Sequence, residues 1–111
     1  MEDCVFCNIV NRQLQSEILH ETDGLIVIRD IMPKAPVHLL VIPKQHIDSV
    51  ADLESADQSL VGSLILVAKE MAEHQDIATG GYKLVFNVGK DGGQVVPHIH
   101  LHLMGGKPMG E

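Results

Sequence analysis

Pro97-His98-Ile99-His100-Leu101-His102-Leu103-Met104 alternates histidine with aliphatic residues. Successive side chains of a β-strand point to opposite faces, so as a strand this stretch sets three imidazoles on one face and an apolar row on the other. At a rise of about 3.3 Å per residue, neighbouring imidazoles start about 6.6 Å apart, a spacing that suits convergence on one phosphate or one metal. The 111-residue chain has seven histidines, and this stretch holds three of them. A strand that merely faced water would be served as well by Thr or Lys, so the cluster is read as chemistry.

Outward from this strand, residues 82–87 read as the strand before it, joined to it by the loop Val88-Gly89-Lys90-Asp91-Gly92-Gly93-Gln94. One long helix is expected over about 56–75, from Leu60, Leu64, Val67, Ala68, Met71 and Ala72 at helical spacing. Ser55 and Gln58 fit a capping box at its start, and Gly80-Gly81 lie beyond its end. Residues 37–42 form a near-continuous apolar run stopped by Pro43, which marks a central strand covered on both faces. Residues 18–21 and 25–29 read as a hairpin around Thr22-Asp23-Gly24. Asp30-Ile31-Met32-Pro33-Lys34-Ala35-Pro36 is a loop, because two prolines three residues apart suit neither a helix nor an inner strand. Residues 5–10 form a short helix with Phe6, Ile9 and Val10 on its apolar face. Five strands and two helices without regular alternation predict an α+β fold with a mostly antiparallel sheet, in a single domain over residues 1–111.

Composition narrows the function. Hydrophobic residues make up 45 % and the net charge is −7 with histidines neutral, which fits a globular domain and argues against a nucleic-acid backbone as partner. Apolar runs reach only four or five residues, so no membrane span is expected. Met1-Glu2-Asp3-Cys4 lacks the basic and apolar regions of a secretory signal, which makes a cytoplasmic location the expectation. A single small nucleotide remains a suitable ligand, since backbone amides and histidines decide its binding locally. Cys4 and Cys7 form a C-x-x-C, a weak signal that fits a metal site or two incidental thiols; the βαβ context of a thioredoxin-like pair is missing.

The loop 88–94 runs strand to strand without a Lys-Ser/Thr ending, so it is no P-loop. Its glycines nevertheless let backbone N–H groups approach an anion beside the histidines, with Asn87 facing the same mouth. A histidine can attack phosphorus directly if its other nitrogen is held in the right tautomer, with donors for the phosphate oxygens and a proton source for the leaving group. His100 is central for that task, with His98 and His102 on either side to position and donate. A catalytic three-histidine zinc site competes, although three ligands converging from one straight strand are awkward.

The His98-Ile99-His100-Leu101-His102-Leu103 segment resembles the signature of the histidine-triad (HIT) family. The likeness, to the nucleotide-binding branch, covers essentially the whole chain. It takes in Val5-Phe6, Ile9-Val10, the stretch from Asp30 to His38, Val41-Ile42-Pro43-Lys44-Gln45-His46, Asn87, Asp91-Gly92-Gly93-Gln94 and Gly105-Gly106. The resemblance implies a five-stranded antiparallel sheet with one long and one short helix, paired into a homodimer with a ten-stranded sheet. It implies a hydrolase or nucleotidyl transferase that binds purine nucleoside monophosphates and releases AMP from adenosine phosphoramidates or aminoacyl adenylates. The alternatives are a nucleotide-binding scaffold with little turnover and a dinucleoside polyphosphate hydrolase. By matching position, His100 is the nucleophile that forms a covalent nucleotidyl-histidine. His102 and the backbone around Gly93, Gln94 and Val95 are phosphate contacts, with Asn87 beside them, and Asp30 is the ribose ligand. Val5, Phe6, Ile9, Ile28, Ile31 and Leu40 line the base pocket, and His38 supports the triad.

Two departures carry weight. Many members of this branch have a hydroxyl residue where Val95 stands, so slower phosphoramidate turnover or a different leaving group is expected. The chain also ends at Glu111, without the longer tail of some relatives. Cys4 and Cys7 are similar to a zinc-binding pair in many microbial HIT proteins, whose other ligands match His46 and His98. That likeness implies a structural Zn²⁺ site of Cys₂His₂ type and assigns His98 to the metal. His20 and His74 remain as surface residues.

Overall fold

The computed structural model describes residues 3–111. Helix α1 (Val5–Val10) leads into strands β1 (Ile18–Glu21), β2 (Leu25–Arg29) and β3 (Val37–Pro43), followed by helix α2 (Gln58–His74) and strands β4 (Tyr82–Val85) and β5 (Leu101–Gly105). All pairings are antiparallel, in the order β1-β2-β3-β5-β4. The hairpin turn closes on Thr22, whose hydroxyl accepts the N–H groups of Gly24 and Leu25 at 3.2 Å each. Among the described residues, no helix is long and apolar enough to cross a membrane.

The period-2 geometry of β2, β3 and β5 divides the core into two layers. Leu25, Val27, Leu39, Val41, Leu101 and Leu103 pack with Leu64, Ala68, Met71 and Ala72 of α2. Ile26, Ile28, Leu40 and Ile42 pack on the other face with Cys4, Phe6, Cys7 and Ile9 at α1. The continuous apolar run of β3 is thereby explained, since both faces are covered. His38 and His102 share the α1 face. In the ladder His38 lies opposite Met104 and Leu40 opposite His102.

Three boundaries differ from the sequence expectation. Strand β5 begins at Leu101, so only His102 of the three clustered histidines is on a paired strand. Ahead of it the backbone finds other partners. His98 N–H donates to the Val96 carbonyl at 2.9 Å and Ile99 N–H to Ile47 at 2.7 Å. Strand β4 ends at Val85, opposite His102, and Phe86 and Asn87 fall outside. Helix α2 begins at Gln58 after a 3-10 turn over Ser55–Asp57, with the box one residue earlier than expected. Asp57, a charged acceptor, takes the Glu54 N–H at 2.9 Å, which Gln58 would do less strongly. The end of α2 at His74 agrees with the expectation, and the chain turns away at Asp76 (φ 60°), with Ile77 N–H returning to the Ala72 carbonyl at 3.0 Å.

Candidate active site and metal centre

His98, His100 and His102 are divided between two centres. His98 is fully buried and its Nε2 lies 2.8 Å from the Pro43 carbonyl at the end of β3. A carbonyl only accepts, so Nε2 carries the proton and Nδ1 is a free lone pair. That Nδ1 faces the Sγ of Cys4 at 3.2 Å and of Cys7 at 3.6 Å. His46 has the same arrangement: Nε2 donates to Asp48 Oδ1 at 2.6 Å, and Nδ1 lies 3.2 Å from Cys7 Sγ. Cys4 caps α1, its sulfur accepting the Cys7 N–H at 3.3 Å.

Cys4, Cys7, His46 and His98 thus aim four donor atoms, all within 4.8 Å of one another, at one point. A tetrahedral ion with bonds of about 2.0–2.3 Å spaces its ligands about 3.3–3.8 Å apart, close to these distances. Each histidine has on its other ring nitrogen the acceptor that fixes a metal-binding tautomer. Burial and the neighbouring Cys4 push the Cys7 thiol up to about 11, a cost that a bound cation reverses by favouring the thiolate. The four residues fit a metal ion. Asp30, His38 and His102 also lie close together, but there the tautomer is wrong for a metal. Lys34 N–H donates to His38 Nδ1 at 3.1 Å, so the proton of His38 must sit on Nε2, where a metal would bind. Among the described residues no such group combines His98, His100 and His102, which removes the three-histidine zinc reading.

The second centre is a chain of fixed tautomers. His38 Nε2–H donates to His102 Nδ1 at 2.9 Å, with Asp30 Oδ2 3.3 Å from the same nitrogen. His102 therefore carries its proton on Nε2, as a donor. His100 lies beside it, ring centroids 5.0 Å apart, with Phe6 edge-on at 5.0 Å on another side. His100 Nδ1–H donates to the His98 carbonyl at 2.7 Å, which leaves the Nε2 lone pair free for attack. Burial lowers the pKa of His38 and His100. Burial and the neighbouring His100 and His38 lower His102 to about 4. All three rings are neutral at pH 7: one carries the lone pair, one donates, and one orients.

Other expected site residues sort by position. Phe6, Ile9, Ile28 and Leu40 form one buried apolar cluster on this face of the sheet. Val5 is partly exposed and Ile31 is 94 % exposed, so neither is packed into that cluster. Asp30 lies where β2 ends, its Oδ1 accepting the Met32 N–H at 2.8 Å. Asn87 donates to the Gly92 carbonyl at 2.8 Å, bracing the glycine loop. In that loop a Cβ on Gly92 would fall onto the Val88 carbonyl, and Gly93 has φ 81°, so both positions require glycine. Gln94 turns its side chain into the protein, and Val95 stands 89 % exposed. A cavity of about 850 Å³ at the far end of β5, lined by Tyr82, Lys83 and Lys107 among others, contains none of these residues.

The sequence reading did not find Asp48, which orients His46, although its H-x-D spacing was visible. It could not find the carbonyls of Pro43 and His98 or the N–H of Lys34, which are main-chain groups that any residue supplies.

The family described as "Scavenger mRNA decapping enzyme C-term binding" matches residues 3–110. The chain is 41 % identical over 109 residues to the purine nucleoside phosphoramidase of Escherichia coli K12, covering 98 % of this chain and 92 % of that one. The chain belongs to the HIT family. A HIT family hydrolase from Legionella pneumophila superposes with a TM-score of 0.95 at 42 % identity, over 97 % of this chain and 96 % of that one. One from Clostridium thermocellum gives 0.96 at 43 %, over 100 % and 96 %. The HIT fold expected from the sequence, five antiparallel strands with one long and one short helix, is the fold found.

Proposed function

We propose that this HIT protein hydrolyses purine nucleoside phosphoramidates to the nucleoside monophosphate and an amine, through a nucleotidyl-histidine at His100. The observation that carries the reading is the 2.7 Å hydrogen bond from His100 Nδ1 to the His98 carbonyl, which leaves the Nε2 lone pair free for nucleophilic attack. The relationship to a purine nucleoside phosphoramidase supports the substrate class.

His100 Nε2 attacks the α-phosphorus as the phosphorus–nitrogen bond breaks, with Nδ1–H retained on the His98 carbonyl. His102 Nε2–H donates to a non-bridging phosphoryl oxygen, assisted by the backbone N–H of Val95, since those of Gly93 and Gln94 donate to the Lys90 and Gly89 carbonyls at 3.0 Å each. The departing nitrogen takes its proton from solvent, since Val95 supplies no hydroxyl. Water then attacks phosphorus, releases AMP with loss of a proton, and returns His100 neutral. Asp30 holds the ribose; Phe6, Ile9, Ile28 and Leu40 form the floor of the base pocket, with Val5 and Ile31 closing on the base.

Cys4, Cys7, His46 and His98 would hold Zn²⁺, as two thiolates and two imidazoles favour. In that place it would serve a structural role, joining α1 to the segment before β5. We place the protein in the cytoplasm as a homodimer with a ten-stranded sheet. The edge position of β4 and the exposed Ile65, Leu66 and Leu84 support that assembly. The test is AMP release from adenosine 5′-phosphoramidate: wild type releases AMP and His100→Ala does not. Equal turnover by both proteins excludes the mechanism.

A further inference from the structure

One side chain of the glycine loop is used for something other than ligand. Gln94 makes three hydrogen bonds with its amide, none of them to groups on the open face of the loop. Its Oε1 accepts the Gly89 N–H at 2.9 Å, closing the loop on itself. Its Nε2 donates to the Val96 carbonyl at 3.0 Å and to the Asp48 carbonyl at 2.6 Å. Asp48 is the residue whose carboxylate holds His46 at 2.6 Å in its metal-binding tautomer. The adjacent Ile47 carbonyl takes the Ile99 N–H at 2.7 Å. The short segment from His46 to Asp48 is therefore fixed to the glycine loop at Gln94 and to the histidine strand at Ile99, on either side of His98.

We infer that Asp48 and Gln94 form a strut through which the metal centre and the phosphate-binding loop set each other's geometry, with Gln94 as a positioning residue. The inference rests on the nucleotide-binding reading above. Closure of the Cys₂His₂ site fixes the His46 ring, the ring fixes the Asp48 carboxylate, and the Asp48 carbonyl fixes Gln94. Gln94 in turn holds the loop shut at Gly89 and so sets the direction of the Val95 N–H. Free-energy coupling between two binding sites is reciprocal, so a nucleotide that orders the loop must tighten the metal by the same factor.

The experiment reads the metal and not turnover. Zn²⁺-loaded protein is mixed with excess 4-(2-pyridylazo)resorcinol, and the rate of Zn²⁺ loss is followed with and without saturating AMP. AMP affinity is measured separately by calorimetry. In wild type, AMP slows Zn²⁺ loss by about fivefold or more, the lower range of such couplings. Gln94→Glu keeps an acceptor for Gly89 but loses the donor to Asp48, and there AMP no longer protects the metal. Asp48→Ala, altered at the metal end alone and retaining its carbonyl, loses Zn²⁺ faster and binds AMP more weakly. Its AMP affinity is readable even if Gln94→Glu binds AMP poorly. AMP that binds wild type without slowing Zn²⁺ loss overturns the strut, as does full protection in Gln94→Glu or unchanged AMP affinity in Asp48→Ala. Absence of AMP binding to wild type overturns the nucleotide reading and the strut together, and calorimetry distinguishes that outcome from loss of coupling alone.

Discussion

The main-chain carbonyl of His98 accepts the Nδ1–H of His100 at 2.7 Å, while the side chain of His98 faces Cys4 and Cys7. One residue thus serves both centres, its ring aimed at the metal site and its backbone setting the tautomer of the neighbouring histidine. The i, i+2 spacing makes this possible, because it brings the His100 ring back over the His98 peptide. A third bond, from His98 Nε2 to the Pro43 carbonyl, anchors the residue to the end of β3. The lone pair of His100 is presented by a residue that is fully buried and is also tied through its own N–H to the Val96 carbonyl at 2.9 Å.

His100→Ala should abolish AMP release, with kcat lowered by more than about 10³-fold, while AMP binding survives within a few-fold. The substitution removes the nucleophile and leaves the loop donors and the apolar floor in place. Single-turnover kinetics with adenosine phosphoramidate, paired with calorimetric AMP binding, checks both halves. Loss of binding together with turnover would point to a structural role for His100.

His38→Leu should lower kcat by about 10²-fold, the lower range for a positioned proton donor, with a smaller change in KM. His38 Nε2–H is what keeps the His102 Nδ1 deprotonated and its Nε2–H outward. Without it His102 exchanges between tautomers and donates to the phosphate only part of the time. The same variant should show a mixed His102 tautomer in ¹⁵N imidazole spectra; an unchanged tautomer with unchanged kcat would remove His38 from the site.

The fold was largely legible in the sequence because a core with two layers is written as near-continuous apolar runs on β2 and β3, and α2 as a stripe from Leu64 to Ala72. The chemistry was legible as residue types in the triad and the C-x-x-C, while His46 came from resemblance. The division of labour among the three histidines came from resemblance, since spacing alone places them on one face as equivalents. Their separation arises where β5 leaves the ladder before Leu101, and that depends on the Ile47 carbonyl capturing the Ile99 N–H. Main-chain partners of this kind have no side-chain signature. Gln94 was carried over by resemblance as a backbone phosphate contact; a glycine loop shows that N–H groups are present, but not that the Gln94 N–H closes on the Gly89 carbonyl or that its side chain holds the loop shut.

Stability should fall as the pH drops from about 7 towards 4, and His102 should account for part of the loss. The folded protein holds His102 at about 4, below the ordinary value near 6.5. Between these values the unfolded chain binds more protons, so stability rises with pH across that window and is lost as pH falls through it. His102→Gln should flatten that part of the curve in urea unfolding measured every half unit. An identical slope in wild type and variant would show that His102 does not carry the linkage.

Chelation or Cys4→Ser should cost stability well before it touches the fold's outline. An ion present at 100 times its Kd stabilises by about 2.7 kcal/mol. In a domain of this size each kcal/mol moves Tm by about 4–8 °C. The expected drop is therefore about 10 °C or more on metal removal, restored by Zn²⁺ in wild type and not in Cys4→Ser. The two buried thiols make the direction firm: without a cation, Cys7 is held as a neutral thiol up to about 11, and α1 then meets the histidine segment through weak sulfur contacts alone. Differential scanning calorimetry with a matched metal assay checks it. A Tm unmoved by full chelation would mean that packing of Phe6 and Ile9 against Ile28 and Leu40, and not the four-ligand site, fixes α1 to the sheet.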